Sequence, residues 1–392
     1  MGKDLAIELD RIPRELNLII KLLNNDPVST EQVKNINWDN FIDLSIHHRL
    51  YPVLYPKARQ LPEFIPAHIT RHLFQLYQTN TFQMLQLTAE MESVSKFLTE
   101  NNIPVIFLKG PMIGHELYGD ISRRTCSDLD FLIPVDDLLK VETLLAEEGY
   151  VKDDYIQTVL NDWKWRHHHV AYYHHSKGIK LEIHWRLHPG PGKEPSFSDL
   201  WDRKSMSSLT EYPVYMLGED DLLIYLAAHG ARHGWSRLRW LLDIHQLLIK
   251  HSDFTTVLKL SQKYYMLPVL GQSVVLSYTL LNRKQLEGIN SILENDKYCK
   301  LAQNAVFYFE NMVNLHTDPV PAEVSEYHEK YLLSMMSLPQ KLLMRASFLF
   351  PYPEDAETLP LPKPLHFLYF PLRPFLWGWR KTRKHASTLG GN

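Results

Sequence analysis

Two aspartates one residue apart, Asp128 and Asp130, sit in "CSDLDFLIPV" (126–135), a run that otherwise has the character of a buried strand. Alternation along a strand sends Asp128 and Asp130 to one face and Leu129, Phe131 and Ile133 to the other. Neighbouring carboxylates repel each other unless protons, cationic side chains or a metal ion compensate. A third carboxylate comes from "KLEIHWRL" (180–187), where Leu181, Ile183, Trp185 and Leu187 take one face and Glu182, His184 and Arg186 the other. If that strand lies beside the first, Asp128, Asp130 and Glu182 make an oxygen-rich surface suited to hard cations such as Mg2+. Two such ions can clamp the attacking and leaving oxygens of a phosphoryl-type displacement. The competing reading pairs the aspartates with Arg123 and Arg124, and Glu182 with Lys180 or Arg186, as ordinary surface ion pairs.

The elements that must hold these residues form a short α/β alternation. Met84, Leu87, Met91, Val94 and Leu98 recur at helical spacing, and "NNIP" (101–104) ends that helix. "PVIFL" (104–108) is a short apolar strand, and "KGP" (109–111) is a turn with Pro111 placed to open a helix. After the Asp-x-Asp strand, "VDDLLKVETLLAEEG" (135–149) is an amphipathic helix stopping at Gly149. "HHHVAYYHHSKGIKLEIHWRL" (167–187) is a hairpin turning at Ser176-Lys177-Gly178. The chain is then mostly helical from about Glu219 to about Ser347. The expected division is an N-terminal helical region (1–100), an α/β core with a small mixed sheet (101–205), a C-terminal helical region (206–350) and a Pro/aromatic-rich basic tail (351–392).

Composition narrows the partners. With 392 residues and 45% hydrophobic content the chain can bury a sizeable core. A net charge of −3 with histidines neutral argues against a large nucleic-acid surface. Cys126 and Cys299 make no disulfide framework, and no secretory signal is read at the start, so a reducing cytoplasm is expected. The longest apolar stretches are broken by Pro, Arg or His, so no transmembrane helix is expected. The tail combines Phe and Trp with Arg and Lys, which suits a membrane interface or a partner. Its prolines argue against a continuous amphipathic helix and favour packing back on the protein. The histidines of "HHH" (167–169) and "HH" (174–175) invite a zinc reading, but they alternate faces on a strand and have no cysteine cluster beside them, so zinc is the lesser of the two readings there.

Strand, glycine turn, helix, Asp-x-Asp strand and later acidic strand, in that order, resemble the DNA polymerase β-type nucleotidyltransferase superfamily. More closely, the chain resembles the bacterial group described as uncharacterised nucleotidyltransferases. The likeness is carried by "FLKGPMIGHELYGDISRRTCSDLDFLI" (107–133), "LEIHWRL" (181–187), "AAHGARHGWSRLRWLLDIHQLL" (227–248) and "HHRLYPVLY" (47–55). It implies an α/β (α+β) nucleotidyltransferase core flanked by helical regions. It also implies transfer of a nucleoside monophosphate from an NTP, ATP being the first to try, to a non-polymeric acceptor, with release of pyrophosphate. The acceptor is a small molecule, a peptide or a protein. Members of this group often accompany peptide natural-product genes, which puts a modified peptide among the acceptors. Asp128 and Asp130 match the metal-binding pair and Glu182 the third acidic position, for two Mg2+ ions with Mn2+ as the alternative. Where the superfamily has a Gly-Ser turn, this chain has Lys109-Gly110.

The same resemblance assigns the nucleotide. Gly110 lets the backbone approach a phosphate, and the helix opened by Pro111 offers its free N–H groups. Lys109, Arg123, Arg124 and Ser127 are expected around the triphosphate, the alternative for Lys109 being an exposed turn lysine. Glu182 is the first candidate for proton acceptor and His184 the second, or an orienting group. "AAHGARHGWSRLRWLLDIHQLL" reads as one helix ending near Gly234 and a second capped by Ser236. This pair is expected to cover the open side of the sheet and bring His229, His233 and Arg237 to nucleotide or acceptor, with Asp243 holding one of them. The alternative is that Asp243 merely ties two helices together. Two rival functions are an inactive nucleotide-binding regulatory module and a toxin/antitoxin-type interaction protein.

Overall fold

A computed structural model describes residues 7–153, 156–251, 253–281 and 289–389. Helices α1 (Trp38–His47), α2 (Tyr51–Ala58) and α3 (Ala67–Glu100) lead into β1 (Ile106–Lys109), α4 (Pro111–Tyr118) and β2 (Leu129–Leu132). Then come α5 (Leu138–Glu147), β3 (Val151–Lys152) and the hairpin of β4 (His169–His174) and β5 (Ile179–His184). Two short strands follow, β6 (Ser205–Ser207) and β7 (Val214–Met216), before α6 (Glu219–Arg232) and α7 (Leu238–Lys250). Further helices occupy most of 255–358, and α8 (Tyr369–Leu389) closes the chain. The fold is mixed α/β with helical flanks, as the sequence led one to expect. Among the described residues its strands number seven, more than a small core required.

The chain divides into two compact units, Met1–Phe131 with Pro195–Met336, and Leu132–Glu194 with Ser337–Asn392. The division falls inside β2. In the first unit the strand order is β2-β1-β7-β6. β1 and β7 are parallel, with Phe107 opposite Met216, and β6 is antiparallel to β7. Ile106, Phe107 and Leu108 are all fully buried, as a continuous apolar run at the centre of a sheet should be. The predicted stripe Met84, Leu87, Met91, Val94 and Leu98 is the buried face of α3. β6 and β7 escape sequence reading because three residues are too few for an alternation to register.

In the second unit β3, β4 and β5 form an antiparallel meander. The turn at 176–178 fixes the register, so His169 lies opposite His184 and Ala171 opposite Glu182. The chain that continues β2 enters this unit at Leu132, and the Ile133 N–H donates to the His184 carbonyl at 3.0 Å. Leu181, Ile183, Trp185 and Leu187 are buried as their alternation required.

The tail departs from expectation. α8 runs unbroken through Pro371 and Pro374. Pro371 lies in the first turn, where the backbone N–H has no helical partner to lose, so only Pro374 removes an interior bond. Arg373 and Arg380 anchor this helix on fully buried Asp355, at 2.6 and 2.7 Å. The last residues of the expected tail, 390–392, lie outside the described residues. Among the described residues no helix is long and apolar enough to cross a membrane.

Candidate active site

β1 ends at Lys109, and the next residue has φ +150°, a conformation that side chains other than glycine's rarely adopt. Gly110 thus turns the chain from strand into α4, and Pro111 starts the helix. A Cβ at Gly110 would meet Met112 Sδ at 3.2 Å and Leu129 Cδ2 at 3.4 Å, so the turn is also closely packed against β2.

Asp130 is completely buried, and its Oδ1 lies 3.0 Å from Lys109 Nζ. Burying a carboxylate is costly unless a charge accompanies it, and the lysine is that charge. The two sequence-predicted residues therefore meet, although the pair was not foreseen. Asp128 is half-buried and carries Ser127 Oγ at 3.3 Å; Cys126 Sγ donates to the Asp128 carbonyl at 2.8 Å. Arg123 is exposed and leans on Asp120 at 3.7 Å.

Arg124 requires a correction. Instead of facing solvent for a triphosphate, it is buried, and its Nε–H donates to both oxygens of Asp243, at 3.0 and 3.3 Å. Tyr118, the last residue of α4, donates its hydroxyl to the same carboxylate at 2.7 Å. Asp243 thus holds Arg124 and Tyr118, where one of His229, His233 or Arg237 was expected. The physical reason is reach: the loop before β2 is pinned to the interior. Asn80 of α3 donates to the Ser122 and Arg124 carbonyls at 2.8 and 3.3 Å, and Arg239 donates to the Thr125 carbonyl. With the loop held there, the Arg124 guanidinium meets α7. Burial, followed by the positive charge of Arg124, lowers Arg239 to about 10.

The turn between α6 and α7 also differs from expectation. Arg237, not Ser236, is the capping residue of α7, and the buried Ser236 hydroxyl has no hydrogen-bond partner among the described residues. His229 and His233 lie 4.7 Å apart, ring to ring, and each lies 5.3 Å from Trp240. Burial drives both imidazoles well below their usual range. The charge of Lys109 pushes His229 further down, and Arg232, His316 and Lys109 do the same for His233. Both histidines are therefore neutral at pH 7 and near Lys109. Arg237 goes elsewhere: its Nη1 reaches His47 Nδ1 and carbonyl, each at 2.7 Å, and its Nη2 donates to Asn314 at 3.1 Å.

Within the second unit Glu182 lies on the polar face of β5. Burial would raise its carboxyl, but the neighbouring His184 and His169 imidazoles and the Lys180 ammonium hold it well below the usual carboxylate range. Lys180 Nζ lies 2.6 Å from Glu182 Oε1, while His169 Nε2 and His184 Nε2 each lie 3.8 Å from Oε2. The expectation that the 167–169 histidines scatter to opposite faces fails for two of them. His168 and His169 are in ring contact at 4.3 Å, and both lie near His184, at 5.3 and 5.0 Å. His168 falls just outside β4, and its carbonyl accepts from both Trp185 and Arg186 N–H, at 3.0 and 3.4 Å. One residue facing two is a β-bulge with its extra residue on the 185–186 side, and His168 itself precedes β4, where strand alternation no longer binds it. Counting outward from the 176–178 turn would have paired His169 with His184; the bulge left no mark in the sequence.

A buried carboxylate and a lysine at a glycine turn, with neutral imidazoles nearby, can hold a cation and receive a polyanion. Residues 34–282, more than half of the chain, match the family described as uncharacterised nucleotidyltransferase. The chain belongs to that family, and is a nucleotidyltransferase of mixed α/β fold. No curated protein matches it. A crystal structure of an antigenic nucleotidyltransferase-like protein from Paracoccidioides brasiliensis is similar over 47% of this chain and 92% of that chain, at 18% identity and a TM-score of 0.30. A likeness at that level decides nothing about this chain.

Proposed function

We propose that the protein transfers a nucleoside monophosphate from an NTP, ATP first among them, to a non-polymeric acceptor such as a small molecule, peptide or protein, releasing pyrophosphate. The observation that carries this reading is the contact of buried Asp130 with Lys109 at the glycine turn. It sets a metal-type carboxylate beside a cation and a helix N-terminus, the two features a triphosphate needs. Family membership supports the same chemistry.

Asp128, Asp130 and Glu182 fit Mg2+, because they offer oxygen ligands and Glu182 is held ionised. Bound Mg2+ would neutralise the triphosphate and activate the acceptor oxygen. Lys109 and the α4 N–H groups orient the phosphates, and exposed Arg123 adds charge at the rim. Glu182, the first candidate for proton acceptor by resemblance, is held too far down to be an effective base, so its role here is that of a metal ligand. Incubation with α-labelled and γ-labelled NTP in cell extract tests the reading. Label from the α-position should move to an acceptor and γ-label should leave in pyrophosphate. Transfer of the γ-label instead would make the protein a phosphotransferase.

A further inference from the structure

We propose that His168, His169, His184 and Glu182 form a binding site for a borderline transition metal of the zinc class. One nitrogen from each of the three histidines lies within 4.8 Å of the others. His168 Nε2 and His169 Nδ1 already approach to 3.1 Å, and Glu182 Oε2 is 3.8 Å from both His169 Nε2 and His184 Nε2. Ligand atoms around a tetrahedral zinc lie about 3.4 Å apart, given Zn–N distances near ~2.1 Å. His169 offers one nitrogen to one ion, so the three imidazoles are the primary ligands and Glu182 joins them by a turn of its own side chain or of the His169 ring.

The surroundings suit such an ion. His169 and His184 face each other across β4 and β5, so a rigid hairpin sets their separation. His168, just before β4, brings in the third imidazole, in ring contact with His169 at 4.3 Å and with His184 at 5.3 Å. Lys180 occupies Glu182 Oε1, which orients Oε2 toward the histidines in the way outer partners orient metal ligands. Three imidazoles and one carboxylate favour zinc, cobalt or nickel over magnesium, whose preference is for oxygen and water. All four residues belong to one unit. The site does not rest on the nucleotidyl-transfer reading, although Glu182 is a candidate ligand in both.

The test uses full-length protein stripped with chelator and returned to buffer holding about 5 mM Mg2+, a concentration well above ordinary Mg2+ needs. Zn2+ binding is read by equilibrium dialysis and Co2+ binding by its visible spectrum. The expected result is one Zn2+ per chain, undisturbed by the Mg2+, and an intense Co2+ band of low coordination number. His168→Gln/His169→Gln should weaken Zn2+ by at least about 100-fold, and Glu182→Gln by roughly 10-fold or more. His175→Gln, an exposed histidine on the same hairpin, should leave affinity unchanged. Circular dichroism confirms that each variant is folded. Zn2+ affinity unchanged in the double variant, or full displacement by Mg2+, would overturn the proposal. Because the readout is metal binding, its failure would leave nucleotidyl transfer standing.

Discussion

Asp243 offers the sharpest energetic test, because the structure makes it a tie between two helices, the alternative the sequence had left open, and gives it Arg124 besides. Its carboxylate is completely buried and accepts from Arg124 and Tyr118. Asp243→Ala strands the Arg124 guanidinium, which is itself almost inaccessible, without its counter-charge. Breaking one side of a buried ion pair costs about 3–5 kcal/mol. The orphaned Tyr118 hydroxyl adds about 1 kcal/mol. Against a total stability of about 5–15 kcal/mol this is a large fraction. The double variant Arg124→Met/Asp243→Leu removes both charges and keeps the volume, so its cost should fall to about 1–2 kcal/mol. Urea unfolding followed by circular dichroism measures both. A single-variant loss below about 1 kcal/mol, or a double variant as damaged as the single, would refute the buried tie between the Asp loop, α4 and α7.

Three further outcomes follow from named contacts. Gly110→Ala should cost about 1–3 kcal/mol through its positive φ and also weaken NTP binding, since the new Cβ presses on Met112 and Leu129; unchanged stability and affinity would contradict the turn's role. His48 is completely buried, and burial, then the charges of His47 and Arg237, hold its pKa well below 6.5. The folded state therefore keeps it neutral while the unfolded chain protonates near pH 6.5, so its contribution is full above that pH and is lost as pH falls below it. The slope is about 1.4 kcal/mol per pH unit for each such histidine, and His229 and His233 shift in the same direction. A urea midpoint that does not fall between pH 7 and 5.5 would count against this. Glu182→Gln should lower the rate of transfer far more than NTP affinity, because an acceptor-side ligand acts chiefly in the transition state; equal losses in both would place it with the nucleotide.

What the sequence could disclose depended on periodicity. The α3 stripe, the β1 run and the hairpin around 176–178 each follow a period that burial imposes, and each was legible. β6 and β7 were too short to show one. At the site, residue types alone drew attention to Lys109 and Asp130, whereas the contact between them depends on how the strands pair. The partner of Asp243 was illegible for the same reason, since Arg124 lies 119 positions away along the chain. His168 and His169 were misread because strict alternation was assumed past a strand end, whereas β4 begins only at His169.

The central claim is nucleotidyl transfer at the Asp128–Asp130 pair. Its most direct test is single-turnover transfer of α-labelled NTP with Mg2+ by wild-type protein and by Asp130→Asn, which keeps side-chain size and removes the charge beside Lys109. The account predicts label transferred by wild type and a loss of about 1,000-fold or more in a folded Asp130→Asn protein, as for removal of a group that acts in the transition state. Transfer by Asp130→Asn at the wild-type rate would contradict it.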